Sequence, residues 1–160
     1  DHPANPENSF NTLSGSTTMV EDARGRMLTR SDHGLVRWEG THWTDIGADQ
    51  GLQLEALVGP LLLQSNGTLW IGTRGLGLQR MLGYGSIEHM TEAQGMPPAP
   101  TWTMQRLPDG MLAVGADGGA SLLKRNATHA QPWLLEDGAV LSQALNITVA
   151  PDGADRKSVV

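Results

Sequence analysis

The sequence predicts an all-β fold in which one four-stranded unit is repeated along the 160-residue chain. Four glycines in similar turn contexts recur at intervals of 42, 43 and 43 residues: Gly25, Gly67, Gly110 and Gly153. A second series follows the same period: Gly51, Gly95 and Gly138. Each period holds four short apolar runs between turn residues, without the three- and four-residue apolar spacing of helices. The pattern is typical of propeller blades and predicts a partial β-propeller, with about three four-stranded blades and the start of a fourth, in an incomplete ring.

The composition fits a turn-rich globular chain and excludes several classes of function. Hydrophobic residues make up 39% of the sequence, and there are twenty glycines. The formal net charge of −6 gives no general attraction to nucleic acid or to an anionic membrane, so neither is an expected partner. Because the sequence has no cysteine, it cannot form disulfides, thiolate metal sites or cysteine nucleophiles. No apolar run approaches the roughly 20 residues of a membrane-spanning helix.

The strands follow from short apolar runs bounded by Gly, Asn, Asp and Ser. The first repeat is predicted to contain Thr17–Glu21, Met27–Thr29, Leu35–Trp38 and His42–Ile46. The second is predicted to contain Leu61–Gln64, Leu69–Thr73, Leu78–Leu82 and Ile87–Thr91. The third is predicted to contain Thr103–Leu107, Met111–Gly115, Ser121–Lys124 and Pro132–Leu135. A fourth repeat begins its first strand at Asn146–Val149.

These strands divide the chain into an N-terminal part, a propeller part and a tail. Residues 1–16 are polar and proline-rich and are interpreted as a loop that leads into the first repeat. The partial propeller is expected over residues 17–154, with repeats at about 17–57, 58–100, 101–144 and 145–154. Residues 155–160 break the apolar pattern and resemble the conceptual translation of a sequencing-adapter read. We therefore expect a truncated chain with a non-native tail, with a natural polar tail as the alternative.

The hairpin of the second repeat, Gln64–Arg80, is the clearest copy of the unit. A tight turn needs the positive φ that Gly67 can adopt, and Gly72 leaves room for the approach of a neighbouring sheet. Trp70 is expected to lie between blades, where its ring fills the gap between sheets packed about 10 Å apart. These residues therefore indicate that the motif primarily stabilises the fold.

Three stretches of sequence carry a family resemblance: Glu21–Arg26, Asp49–Leu52 and Gly67–Gly75. They resemble the two-component regulator propeller repeats, and the resemblance extends from about Thr17 to Gly153. The second repeat is a close match. The first departs from the family pattern of Trp, Ile, Gly and Thr at Leu28–Ser31, and the third departs from it at Ala113–Ala116.

The resemblance implies a periplasmic sensor region in front of a membrane span and a cytoplasmic histidine kinase or diguanylate cyclase. It implies a non-catalytic segment that binds a small molecule, a glycan-type ligand or a partner. Since propellers typically have 4–8 blades, the remaining blades of the same chain are expected to complete the ring. In isolation, three blades would expose sheet faces at both ends and would be marginally stable.

The side-chain pattern predicts no catalytic residues, no metal site and no cofactor. The histidines show no metal-binding spacing and do not all occupy equivalent positions in the repeats. They are His2, His33, His42, His89 and His129. The carboxylates beside the anchor glycines are expected to cap turns: Asp22, Asp109 and Asp152. The glycine-rich run Arg74–Gly77 joins two strands, so it lacks the strand-to-helix context of a phosphate loop.

A ligand is expected at the mouth of the central channel, where loops between blades meet central hairpin turns. The loops are Asp49–Ala56, Gly95–Trp102 and Gly138–Ala144, and the turns are Ser31–Gly34, Arg74–Gly77 and Ala116–Gly119. The side chains in these segments that can supply charge, hydrogen bonds or a stacking surface are Arg74, His33, Asp117 and Trp102. The proline-rich run Met96–Pro100 is expected to stiffen the loop that holds Trp102.

Two other classes of function stay open. A propeller enzyme similar to the streptogramin lyases would need a histidine and acidic residues converging on the channel mouth. An interaction scaffold of the WD-repeat kind is disfavoured, because the sequence has neither a Gly-His nor a Trp-Asp dipeptide. The rest of the open reading frame would discriminate, since a downstream membrane helix with a kinase or cyclase favours the sensor. A stop codon soon after ring closure, with a secretion signal, favours the enzyme.

Overall fold

The computed structural model describes residues 18–31, 34–53, 57–83, 85–149 and 155–158. The first group of strands is β1 (Val20–Glu21), β2 (Met27–Ser31), β3 (Gly34–Trp38) and β4 (Trp43–Ile46). The second is β5 (Leu57–Leu63), β6 (Leu69–Thr73), β7 (Leu78–Leu82) and β8 (Ser86–Met90). The third is β9 (Thr101–Arg106), β10 (Leu112–Ala116), β11 (Gly119–Leu123) and β12 (Gln131–Pro132). The last strands are β13 (Asn146–Val149) and β14 (Asp155–Ser158).

Each of the first three groups forms one four-stranded antiparallel sheet whose spatial order is the order of the chain. β13 and β14 form a two-stranded sheet, so the fourth blade is incomplete. The predicted partial β-propeller is confirmed. The described residues contain no helix long and apolar enough to span a bilayer.

The hairpin turns between the first and second strands of the blades share one geometry. The N–H of Gly25, Gly67 and Gly110 each donates to the carbonyl oxygen three residues earlier, at 2.9 Å in every case. These glycines have φ values of 75°, 82° and 85°, in the left-handed region that strains other residues. The departures of the first and third repeats from the family pattern therefore leave the turn unchanged. Gly153 lies outside the described residues.

The second strand of each blade is the centre of the packing between sheets. Leu69 and Ile71 of β6 pack with Leu28 in the core between the first and second sheets. Trp70, which is 3% exposed, points to the opposite side and packs with Leu112 in the core between the second and third sheets. Successive side chains of a strand alternate between faces, so one strand serves two interfaces. Trp70 therefore lies between two blades, the position expected from the sequence.

The innermost strands of successive sheets contact one another. β5 contacts both β1 and β9, and β9 also contacts β13. Because these are the first strands of their sheets, the sheets converge on a common axis at this side and diverge at their fourth strands. This convergence is the arrangement of blades around a propeller channel.

Glycines in the second strands of the blades leave room for close approach of neighbouring strands and sheets. A Cβ atom on Gly72 would lie 2.7 Å from Pro60 Cδ and 3.1 Å from Thr101 Cγ2 of the third blade. Gly115 holds the same place in the third blade, where a Cβ atom would lie 2.4 Å from the carbonyl oxygen of Ala144. In the first blade this place is taken by Arg30, which is buried. Burial lowers the pKa of the Arg30 guanidinium.

Several boundaries differ from the predicted ones. The outer strand predicted at Pro132–Leu135 is wrong, because Leu134 bridges to Val140 and the chain turns back at this point. Contact with β11 extends one hydrogen bond beyond Pro132, since the N–H of Trp133 donates to the carbonyl oxygen of Ala120 at 2.8 Å. β5 begins four residues before Leu61, through an irregularity in its register with β6. Two 3-10 helices, Ala48–Gln50 and Glu92–Gln94, were not predicted.

The polar tail forms a strand where the sequence predicts a break. The backbone of β14 pairs with β13, from Asn146 opposite Ser158 to Val149 opposite Asp155. Ladder hydrogen bonds use main-chain groups, so the pairing does not need apolar side chains. That residues 155–160 are non-native stays a prediction about the gene. The N-terminal loop predicted over residues 1–16 lies outside the described residues.

Candidate functional site

The candidate site lies at the end of the sheets where the loops between blades enter. In the third blade, Thr101 at the start of β9 is opposite Ala116 at the end of β10. The loop before β9 and the turn after β10 therefore lie at the same end of this sheet. Trp102, the second residue of β9, and Asp117, the first residue after β10, are brought together as a consequence.

Trp102 and Asp117 form a direct contact. The indole Nε1–H of Trp102 donates to Asp117 Oδ1 at 2.9 Å. The Trp102 side chain is 47% exposed, so the hydrogen bond fixes the ring while leaving part of its surface open to solvent. A fixed and exposed aromatic ring beside a carboxylate offers both a stacking surface and a hydrogen-bond acceptor.

Gln143 is the third member of this group. Its Nε2 donates to the same Oδ1 atom of Asp117, and the two residues also form an isolated antiparallel bridge. Both donors reach Oδ1, so Oδ2 of Asp117 receives no hydrogen bond from the residues the structure describes. One carboxylate oxygen thus holds the site together, and the other can accept from a ligand.

The proline-rich loop supports the turn that carries Asp117. The N–H of Asp117 donates to the carbonyl oxygen of Pro100 at 3.2 Å, and the N–H of Gly118 donates to that of Ser142 at 2.7 Å. Proline restricts its own φ and the conformation of the residue before it, so the run that ends at Pro100 has few alternative shapes. The backbone on both sides of Asp117 is held by this loop and by the loop that leads to β13.

Arg74 lies on the corresponding turn of the second blade. Thr73 Oγ1 donates to the carbonyl oxygen of Gly77 at 2.7 Å and accepts from the N–H of Leu76 at 3.1 Å, which closes the turn. Thr101 Oγ1 also donates to the carbonyl oxygen of Gly77, at 3.3 Å, and this joins the turn to the residue before Trp102. The Arg74 side chain is exposed.

The structure therefore brings two of the four candidate ligand residues, Trp102 and Asp117, into contact, and it places Arg74 on the adjoining turn. His33 lies outside the described residues. Sequence reasoning missed Gln143, although it lies in the predicted mouth loop Gly138–Ala144. The available signal was its position in that loop, because a polar side chain there can face the turn of the same blade.

Histidines and acidic clusters do not mark an active site in the described part of the chain. His42 and His129 are exposed, and each forms a 3.1 Å contact with the threonine that precedes it. His89 is exposed on the outermost strand β8. Among the described residues, no group of three or more His, Asp or Glu side chains could hold a metal ion.

No protein-family model matches the chain, and no curated protein matches it. Solved structures with a similar fold include the extracellular domain of the hybrid two-component system BT3049 from B. thetaiotaomicron. It has a TM-score of 0.73 at 14% identity, over 89% of this chain and 20% of that one. The extracellular domain of the one-component system BT4673 from the same organism has a TM-score of 0.67 at 16% identity, over 93% of this chain and 22% of that one.

A lyase has a similar fold as well. A catalytically inactive virginiamycin B lyase from Staphylococcus aureus, solved with quinupristin, has a TM-score of 0.67 at 16% identity, over 94% of this chain and 51% of that one. The chain thus spans about a fifth of the two receptor domains and about half of the lyase. At this identity the likeness shows the fold. The receptor domains belong to the class of protein that the repeat motif resembles.

Proposed function

We propose that the chain is a non-catalytic, ligand-binding segment in the periplasmic sensor region of a bacterial signal-transduction receptor. The repeat motif and the fold of the receptor domains support the receptor class. The contact between Trp102 and Asp117 carries the binding role, because it fixes an exposed ring and a carboxylate at the expected channel mouth. The remaining blades of the same chain complete the ring in this proposal.

The ligand class follows from the chemistry of the pair. An exposed indole stacks on an apolar flat surface, such as the C–H face of a sugar ring, and Asp117 Oδ2 accepts hydrogen bonds from hydroxyl groups. Arg74 on the adjoining turn adds a cation for an acidic substituent. A glycan-type or other polyhydroxylated small molecule fits this set of groups. Binding at the mouth would then bias an output domain, a histidine kinase or a diguanylate cyclase.

Tryptophan fluorescence of the 160-residue chain, titrated with a panel of neutral and acidic oligosaccharides, tests the binding role. We expect saturable binding of at least one oligosaccharide, with Kd raised at least about tenfold by Trp102→Ala and by Asp117→Asn. Asp45→Asn is the matched control, because Asp45 is exposed on the outer strand of the first blade. Equal affinities for all three variants and the wild type would contradict a ligand site at this pair.

The lyase-like fold favours one alternative, a propeller enzyme. Incubating the chain with quinupristin and measuring the remaining compound by chromatography tests it directly. Loss of quinupristin above the rate without protein would favour the enzyme and contradict the non-catalytic proposal. Sequencing the gene downstream provides the independent test of the receptor, which requires a membrane helix followed by a kinase or cyclase domain.

A further inference from the structure

A cleft between the second and third blades lies at the end of the sheets away from the mouth. β9 carries Trp102 near its start and Arg106 at its end, so the cleft and the mouth are separated by most of this strand. The cleft forms a cavity of about 260 Å³ between the two sheets. A second cavity of about 280 Å³ shares four of its lining residues, Gln64, Asn66, Arg106 and Arg125.

Positive charge is concentrated in this cleft, although the chain has a net charge of −6. Four cationic side chains line it: Arg80, Arg106, Lys124 and Arg125. Arg80 is neutralised by Glu88, to which its Nε donates at 2.7 Å, and its guanidinium lies 5.1 Å from the Trp70 ring centroid. The other three have no carboxylate partner among the described residues.

The cations of the cleft repel each other. Burial lowers the pKa of Arg106, and the nearby positive charge of Arg125 lowers it further. An anion between the two guanidinium groups would remove this repulsion and would be held by charge-assisted hydrogen bonds. The repulsion between these cations therefore favours anion binding.

Both sides of the cleft are held in place by hydrogen bonds. Arg106 donates to the carbonyl oxygen of Gly110, and with the Gln64 amide in its hydrogen-bonded orientation it also donates to that side chain. The same Gln64 oxygen accepts from Trp70 Nε1, which ties Arg106 to the core between the blades. Arg106 therefore needs little rearrangement to meet a ligand, and such preorganisation raises affinity.

The turn that presents Lys124 and Arg125 has an unusual backbone. The N–H of Ala127 donates to the carbonyl oxygen of Lys124 at 3.1 Å, and Asn126 has a φ of 62°. A positive φ is uncommon for a residue other than glycine, and asparagine is among the residue types that tolerate this conformation. The corresponding turn of the first blade contains Gly40, and that of the second contains Gly83. Among the three four-stranded blades, the paired cations thus occur at this turn in the sequence of the third.

We propose that the cleft between the second and third blades binds a small ligand through an oxyanion group, a phosphate, sulfate or carboxylate, held by Arg106, Lys124 and Arg125. The amide side chains of Gln64 and Asn66 border the same space and supply neutral polar groups. The fork of donors on each arginine matches the geometry of oxyanions, and the lysine adds a point charge. This site is separate from the Trp102–Asp117 pair and does not depend on the function proposed above.

Isothermal titration calorimetry of the 160-residue chain tests the oxyanion site. The probes are inorganic phosphate, inorganic sulfate and acetate, each at constant ionic strength in chloride. We expect saturable binding of at least one probe, with Kd raised at least about tenfold by Arg125→Gln and by Lys124→Gln combined with Arg125→Gln. Preference for phosphate or sulfate over acetate would identify a tetrahedral oxyanion, and the reverse preference a carboxylate.

Arg24→Gln is the matched control, because it removes the same charge from an exposed turn of the first blade. This variant should bind with a Kd within about twofold of the wild type. Equal weakening by Arg24→Gln and Arg125→Gln would show general charge attraction and overturn the site, as would no saturable binding of any probe. Arg125 and Lys124 are exposed, so these variants test the cleft without removing the hydrogen bonds of Arg106.

Discussion

At the scale of single residues, Asp22 holds the first hairpin turn through its carboxylate. Oδ1 accepts from the N–H groups of Arg24 at 2.8 Å and Arg26 at 2.9 Å, and Oδ2 forms an ion pair with the Arg26 guanidinium at 2.8 Å. Burial raises the pKa of this carboxyl, but the hydrogen bonds from Arg26 and Arg24 outweigh it and lower the pKa from 3.8 to about 2. The ionised form is therefore the one that stabilises the fold.

Acid titration should reveal this contribution. Because the pKa of Asp22 is lower in the folded state, the stabilisation is complete above about pH 4 and is lost as the pH falls towards 2. We expect the free energy of unfolding of the wild type to fall by about 1–2 kcal/mol more than that of Asp22→Asn between pH 5 and pH 2. Urea unfolding at a series of pH values measures it, and parallel curves for the two proteins would contradict the assignment.

Trp70 is a large buried side chain of the core between the second and third sheets. Trp70→Ala removes a large buried ring from the core shared by the second and third sheets. We expect the free energy of unfolding to fall by about 3–5 kcal/mol. Trp102→Ala is the control in the same urea experiment, because Trp102 is 47% exposed and its loss should lower stability by less than about 1 kcal/mol. A smaller effect at Trp70 than at Trp102 would contradict this packing.

The sequence could predict individual residues where a repeat column fixes the environment. Trp70 follows an anchor glycine by three residues, and the alternation of a strand then assigns it to one interface. Trp102 and Asp117 could be named because the four-strand pattern puts their segments at one end of a blade. Gln143 could not, since its approach to Asp117 depends on the path of the loop between the third and fourth blades. The sequence places Gln143 in a mouth loop, but it does not fix which side chain of that loop reaches Asp117.

At the scale of elements, the turn between β6 and β7 shows two glycines with different roles. Gly75 and Gly77 both have positive φ, at 79° and 73°. A Cβ atom on Gly75 would meet nothing within 4 Å, whereas one on Gly77 would lie 2.0 Å from the carbonyl oxygen of Met90. A side chain at either position would strain the backbone, but of these two positions only a side chain at position 77 would also clash with neighbouring atoms.

This difference gives a matched pair of substitutions. Gly75→Ala should lower the free energy of unfolding by about 1–2 kcal/mol, because only the left-handed backbone is strained. Gly77→Ala should lower it by at least about 2 kcal/mol more, since the methyl group pushes β7 and β8 apart. Urea unfolding of the two variants measures the difference. Equal loss of stability would show that the turn shifts freely and that the contact with Met90 is unimportant.

Strands in the middle of a blade and the edge strands β4 and β8 could be predicted from sequence, while the short edge strand β12 and the strand β14 could not. β6 and β10 carry continuous apolar runs after a polar turn, so their positions follow from hydrophobicity and turn chemistry. β12 has two residues, and the chain after Pro132 turns back through a bridge that depends on Val140. Interactions of this kind are set by tertiary contacts. For the same reason β14 forms despite a polar sequence.

At the scale of the whole molecule, stability should decrease from the middle of each blade to its margins. The residues of β6 and β10 are all buried, while β1 and β12 contain two residues each and lie at the edges of their sheets. Amide hydrogen exchange followed by mass spectrometry should show the slowest exchange in β6 and β10 and the fastest in β1 and β12. Uniform protection across the four strands would indicate that the blades open only together.

The arrangement of whole blades was predictable because two glycine series run in phase over three periods. In a repeat architecture each unit packs mainly on its neighbours, as β5 does on β1 and β9 here, so a local period is enough to specify the arrangement. The two proposed sites were less accessible to sequence reasoning. The cleft that holds Arg106 and Arg125 combines the end of β9 with the turn after β11, and its cations come from segments 18 residues apart.

Arg30 limits the ways in which such a chain can be rearranged. It takes the place that glycine holds in the second and third blades, where an added Cβ atom would lie within about 3 Å of neighbouring atoms. Transplanted into the second blade, a guanidinium would collide with Gly59 and Thr101. Transplanting the second blade into first position would leave a void in place of the Arg30 side chain. Exchanging or duplicating these blades therefore requires coordinated changes at position 30 and at the residues that surround it.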